Sequence, residues 1–220
     1  MRKASLVLVA CAALAFAAFA QTAIPIPLRQ AVETLDGRYN SIRTWQADFT
    51  QTYTSGLQQQ TQSGHLFLEK PGRMCWIYVH PRRKVFLVSG KRVWQYAAGD
   101  DEATVMQVSK LSDLRTPLRF LLGHTDLPKE LRHLSYSGLI PWHAGDFVIQ
   151  GQPLQTAATA GWRALWIEFT PTYRIVRLLI AGLDGSRNDI RFEDIQVNTP
   201  LPPQTFRLHL PPGVKIVNGG

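Results

Sequence analysis

Cysteine is almost missing from this sequence: 220 residues contain two, Cys11 and Cys75. No network of disulfides can hold the chain together, which excludes a small disulfide-knit toxin or inhibitor. Long apolar runs are also scarce. The one near the N-terminus, Leu6 to Phe19, is shorter than the roughly 18 to 20 residues a membrane-spanning helix needs, and no later stretch matches it. Acidic residues are in the minority, 16 Asp and Glu against 24 Lys and Arg, for a formal charge of +8. Catalytic signatures are lacking too. There is no Gly-x-Ser-x-Gly elbow and no glycine-rich phosphate loop, and Ser55, Ser63 and Ser89 sit in turn-like settings. His65, His80, His124, His133, His143 and His209 are scattered without the close spacing of a metal motif. No enzyme activity, metal or cofactor is expected.

What is present begins with Arg2 and Lys3, the apolar run, and Ala18-Phe19-Ala20 before Gln21, the order of a secretory signal. Cleavage is expected after Ala20, giving a signal over 1–20 and one domain over 21–220. Leu8-Val9-Ala10-Cys11 has the form of a lipoprotein processing site, but it comes early and is followed by more apolar residues. Cys11 is therefore read as an ordinary signal-peptide residue. Removing Arg2 and Lys3 lowers the charge of +8 to +6, with basic clusters at Arg82-Arg83-Lys84 and Lys91-Arg92. Such a surface suits anionic headgroups or an acidic partner, or is simply a solvated hairpin face. Export carries the chain away from nucleic acid, which is not expected as a partner.

Leu28, Ala31, Val32, Leu35 and Tyr39 recur at helical spacing and predict a helix from about Pro27 to Tyr39. From Trp45 the period changes to two: Trp45, Ala47, Phe49, Gln51 and Tyr53 alternate with polar residues, as in a strand with one buried face. Strands are expected at 65–69, 73–79, 84–88, 92–96 and 104–108, then at 146–150, 162–170, 174–182, 187–197 and 206–210. Turn chemistry such as Lys70-Pro71-Gly72, Ser89-Gly90 and Asp184-Gly185 separates them. A second helix is predicted from Ser112 to Leu122, and 152–161 reads as a flexible loop. This is a mainly β fold of about eleven short antiparallel strands with two or three helices, a barrel-like or strongly curved sheet. Val85-Phe86-Leu87-Val88 and Ile175 to Ile180 are apolar on both faces, which leaves two possibilities for the interior. It is either an apolar concavity that binds an apolar ligand or an ordinary core closed by the helices. Cys75, alternating within its strand, reads as a packed residue rather than a nucleophile.

Several pieces, in order, resemble the outer-membrane lipoprotein carrier family (LolA) over nearly all of the chain after the signal. They are Phe49-Thr50-Gln51, the run from Gly64 to Trp76, the run from Val88 to Tyr96, Thr116-Pro117-Leu118, Asp184-Gly185 and the closing Phe206 to Val214. The resemblance implies an incomplete, unclosed antiparallel barrel covered by helices acting as a lid. It also implies a periplasmic, monomeric carrier of lipoprotein acyl chains, loaded by an inner-membrane ATP-driven release complex and unloaded by an outer-membrane acceptor. On this basis Phe49, Leu66, Leu68, Met74, Trp76, Trp94 and Tyr96 are expected to line the acyl cavity, with Lys70, Leu118 and Leu121 at the lid. Alternatives within the fold are another envelope lipid as cargo or a lipoprotein sensor; outside it, a periplasmic hydrolase. Two residues depart from the family pattern. Lys70 stands where arginine is often found before the proline, keeping the charge but losing the planar fork. Met74 replaces a common phenylalanine with a flexible apolar side chain.

Overall fold

The computed structural model describes residues 26–110 and 126–219. The predicted signal over 1–20 with Cys11, and the predicted helix from Ser112 to Leu122 with Leu118 and Leu121, lie outside the described residues. Helix α1 (Leu28–Ser41) leads into six strands: β1 (Thr44–Ser55), β2 (Gln58–Glu69), β3 (Arg73–His80), β4 (Lys84–Ser89), β5 (Arg92–Ala97) and β6 (Glu102–Gln107). Then come α2 (Leu127–Glu130), β7 (Leu131–Tyr136), β8 (Phe147–Pro153), α3 (Ala157–Ala160), β9 (Trp162–Phe169), β10 (Ile175–Gly182), β11 (Arg187–Val197) and β12 (Lys215–Asn218).

These twelve strands form one sheet in the order β12-β6-β5-β4-β3-β2-β1-β11-β10-β9-β8-β7. The ends of that order, β12 and β7, are not paired with each other, so the barrel is unclosed. Neighbours are antiparallel except β12, which runs parallel to β6. Short turns account for this, because a two-residue connection such as Gly56-Leu57 between the paired Ser55 and Gln58 can only reverse the chain.

The helical stripe of α1 does what its spacing predicts. Ala31, Val32, Leu35 and Tyr39 are buried, and they join the core formed by one face of the sheet. That face, here the inner face, can be followed across the strands through register pairs. Trp45 faces Leu68, Leu68 faces Met74, Met74 faces Val88 and Val88 faces Val93. One step along, Ala47 faces Leu66, Leu66 faces Trp76 and Trp76 faces Phe86. Phe49 is paired across the sheet with Gly64 and Phe192. Gly64 is a true steric requirement, since a Cβ there would lie 1.9 Å from the Ile77 carbonyl oxygen. Beside it the Phe49 ring meets Trp76 and Tyr78 edge-on, at 4.6 and 5.1 Å between centroids.

Several elements differ from the sequence expectation: β12 lies where no strand is predicted, and 152–161, expected as a flexible loop, holds the end of β8 and helix α3. Strand β2 begins at Gln58 rather than near His65, because Gln58-Gln59-Gln60-Thr61-Gln62 has no apolar alternation to announce it and the tight turn alone extends the ladder. Strand β7 lies outside the expected set; its only buried residue is Leu131, and the register shifts between Arg132 and Ser135, with His133 in the left-handed region. The stretch 206–210 is not a strand. Pro202-Pro203 lack the N–H groups a ladder needs, and a 3₁₀ turn at Pro203–Phe206 instead lays Phe206 on the outer face of the sheet.

Candidate functional site: a two-part inner face

Along each strand the inner face changes character from one end to the other. At the end beneath α1 it is hydrocarbon and aromatic: Trp45, Leu66, Leu68, Met74, Trp76, Val88 and Val93 are all buried in one cluster with the helix. At the opposite end the same face turns polar. Continuing β1 past Phe49 gives Gln51 and Tyr53; past Leu66 on β2 lie Gln62 and Gln60; past Phe86 on β4 comes Lys84; past Val93 on β5 comes Gln95. These residues, with Tyr78 and Asn188, line a cavity of about 660 Å³ that opens at this end of the sheet.

The polar lining is organised by hydrogen bonds. The Tyr78 hydroxyl donates to Gln51 Oε1 at 3.0 Å, and Gln51 Nε2 donates to Asn188 Oδ1 at 2.9 Å. Lys84 Nζ donates to Gln62 Oε1 at 2.7 Å and lies 3.9 Å from the centre of the Tyr78 ring. Where the two halves meet, the indole N–H of Trp76 is buried with no hydrogen-bond partner among the described residues.

Helix α1 is fastened over the apolar half by a few directed contacts. At its start, the Tyr136 hydroxyl donates to the Ile26 carbonyl at 2.6 Å. Midway, the Leu127 backbone N–H donates to both Asp36 carboxylate oxygens at 3.1 and 3.2 Å. In the last turn, the Tyr39 hydroxyl accepts from the Ile175 N–H at 2.9 Å, and burial pushes its pKa up to about 12. The Tyr39 carbonyl accepts from Lys70 Nζ at 2.6 Å. An ammonium suits a helix C-terminus, whose last carbonyls carry partial negative charge. Its partial burial lowers the Lys70 pKa.

Of the residues expected to line the cavity, the structure brings Phe49, Leu66, Leu68, Met74 and Trp76 together, but as a packed core under α1 and not as the walls of the open space. Tyr96 meets the open cavity only at its rim, since by register it shares the outer face of β5 with Trp94. Trp94 is on the other side of the sheet, because it pairs with Leu87 while Phe86 and Val88 take the inner face. There it packs with Cys75, Leu87 and Phe206, and burial pushes the Cys75 thiol up to about 12. Sequence reading missed the carboxamides Gln60, Gln62, Gln95 and Asn188. The signal was available in the inner-face alternation of β1, which runs through Gln51 and Tyr53 to its end.

A second polar cluster lies away from this face. His143, Asp146 and Glu168 bring possible ligand atoms within 4.8 Å of one another. Glu168, buried, is already engaged: Oε1 accepts from the Trp142 and His143 N–H groups at 2.6 and 3.2 Å, and Oε2 lies 3.4 Å from Arg177. Arg177 in turn holds Asp189 through two bonds at 2.7 and 2.8 Å. This network ties the loop before β8 to β9, β10 and β11.

The chain is similar to known proteins over most of its length. The family profile described as "Outer membrane lipoprotein carrier protein LolA" matches residues 40–209. The chain is 26% identical over 193 residues to the outer-membrane lipoprotein carrier protein of Nitrosospira multiformis, covering 85% of this chain and 88% of the relative. It is 28% identical over 193 residues to that of Pseudomonas aeruginosa, covering 85% and 87%. A crystal structure of an uncharacterized conserved protein from Thermus thermophilus superposes with a TM-score of 0.50 at 13% identity, over 87% of this chain and 98% of that one, a likeness of fold alone. With most of its length matched by that profile, the chain belongs to the outer membrane lipoprotein carrier protein LolA family.

Proposed function

We propose that this protein is a periplasmic carrier that shields the acyl chains of lipoproteins between the inner and the outer membrane. The observation that carries the reading is the apolar half of the inner face, a sheet surface large enough to bury hydrocarbon and covered, among the described residues, by the amphipathic helix α1 held by a handful of hydrogen bonds. A buried methylene is worth about 0.8 kcal/mol, so three chains of roughly 16 carbons represent some tens of kcal/mol against water. Unassisted passage through an aqueous compartment is closed to such a molecule. A carrier that replaces α1 with acyl chain against Phe49, Leu66, Leu68, Met74 and Trp76 keeps the exchange near balance, since apolar contact is traded for apolar contact.

Family membership supports the cargo class, and with it an inner-membrane ATP-driven release complex as donor, an outer-membrane acceptor as recipient, and a monomer without enzymatic activity. In this reading residues 1–20 are a cleaved signal and 21–220 form one carrier domain. Lys70 serves as the latch of α1, the role implied for the family's arginine. No helix among the described residues is long and apolar enough to span a bilayer. The test is transfer: mature protein added to spheroplasts should release lipoproteins into solution, and the complex should deliver them to outer membranes. Failure of both steps overturns the proposal. Recovery of a free lipid without peptide from the native protein reassigns the cargo.

A further inference from the structure

The open cavity carries polar side chains along much of a wall where an acyl chain requires hydrocarbon. Gln51, Gln60, Gln62, Gln95 and Asn188 bring carboxamides from β1, β2, β5 and β11 to its wall, and a methylene chain laid against the more accessible of them, Gln60 and Gln95, would strip their water with no hydrogen bond in return. Carboxamides both donate and accept, which fits carbonyl and amide groups of a ligand, and Lys84, Asp100, Glu102 and Asp184 also border the cavity. The volume, about 660 Å³, lies in the range of small-ligand sites.

We infer that this cavity receives the carbonyl-bearing linkage of the cargo, the ester and amide groups through which acyl chains are joined to the peptide, while the chains continue beneath α1. The inference rests on the carrier reading and assigns the second half of its site. Polar and apolar halves are continuous on single strands: Phe49 to Gln51 on β1, Leu66 through Gly64 to Gln62 on β2, Trp76 to Tyr78 on β3 and Phe86 to Lys84 on β4. A ligand that is hydrocarbon at one end and carbonyl-rich at the other matches that order. The cavity then fixes how deep the chains go and rejects lipids that present no carbonyl at that depth.

Two probes separate this from simple hydrocarbon capture: a synthetic S-diacylglyceryl-cysteinyl peptide with ester-linked 16-carbon chains, and its ether-linked counterpart with the same chains and peptide. Binding of each to the mature protein is measured by displacement of a fluorescent fatty acid. The ester probe should bind about tenfold more tightly, the effect of one or two hydrogen bonds. In the double variant Gln60→Leu/Gln95→Leu the ester preference should shrink to about twofold. A purely apolar site gives the opposite order, because the ether is the more hydrophobic molecule. Equal affinities, or an ester preference that survives both substitutions, overturn the inference and leave the carrier reading standing. Failure of the wild type to bind either probe overturns both.

Discussion

The two halves of the inner face are made by the same strands in the same register, yet they behave as different materials. Under α1, Leu68, Met74, Trp76 and Val88 are shut away from water, and the surface is complete only with a cover. At the mouth, Gln60, Gln62, Gln95 and Asn188 hold an open, polar space with no need of one. A continuous apolar groove would attract any lipid and would expose a long sticky face whenever its cover moved. In the proposed carrier, restricting hydrocarbon to one end would limit that exposure to the interval when α1 moves aside and would orient the cargo.

The largest difference between the halves should appear in stability. Trp76→Ala leaves a cavity in a packed core and should cost about 3 to 5 kcal/mol, read from urea unfolding. Gln62→Ala, on the adjacent strand of the same face, should cost about 1 kcal/mol or less. Similar losses at the two positions would erase the distinction. Next in size is the latch. Lys70→Leu removes the donor to the Tyr39 carbonyl and should cost about 1 to 2 kcal/mol, since a charged hydrogen bond is worth more than a neutral one but this one is half-exposed. Release of an acyl probe should quicken more than its uptake slows in stopped-flow measurements. Unchanged transfer kinetics would take Lys70 out of the mechanism.

A smaller effect comes from polar burial that has no cavity to serve. Burial and the neighbouring Glu168 carboxylate raise the Asp146 pKa above the usual range. A carboxyl raised in the folded state is a penalty that is absent below its unfolded pKa of about 3.9 and grows as pH rises through the folded value. Asp146→Asn should therefore raise the Tm at pH 7 on the order of 2 °C and by less near pH 4. The opposite pH trend would show Asp146 to be stabilising in its ionised form. Smallest of all is the expected response of the outer face. Cys75, buried with its thiol raised to about 12, should resist alkylation at pH 8, and saturation with an acyl probe should leave that rate unchanged. Faster labelling with ligand would mean that the motion passes through the sheet and is not confined to α1.

How much of this was legible in the sequence differs between the same two halves. Apolar alternation marks a buried face directly, so Trp45, Ala47 and Phe49, and the α1 stripe ending at Tyr39, read correctly. A polar residue that faces a cavity looks, in one sequence, like a polar residue that faces solvent. Gln58 to Gln62 therefore carried no strand signal, although the turn at Gly56-Leu57 fixes their pairing. Trp94 shows the converse limit. Its side depends on register across β4 and β5, and Val85-Phe86-Leu87-Val88 is apolar on both faces, so no pattern marks which alternate residues point inward. The Lys70 contact with the end of α1 joins residues far apart in the chain, and only the resemblance to a family pointed to it.

The most direct test of an acyl site under α1 uses the tryptophans themselves. An ester-linked diacyl-cysteinyl peptide with bromine atoms midway along its chains quenches indole emission only on close approach. Titrated into the protein, it should quench strongly, and the quenched fraction should fall in Trp76→Phe, because that ring is fully buried in the apolar half where it adjoins the polar one. Saturable binding with emission unchanged, or with quenching identical in the two proteins, would place the chains elsewhere and contradict an acyl site beneath the helix.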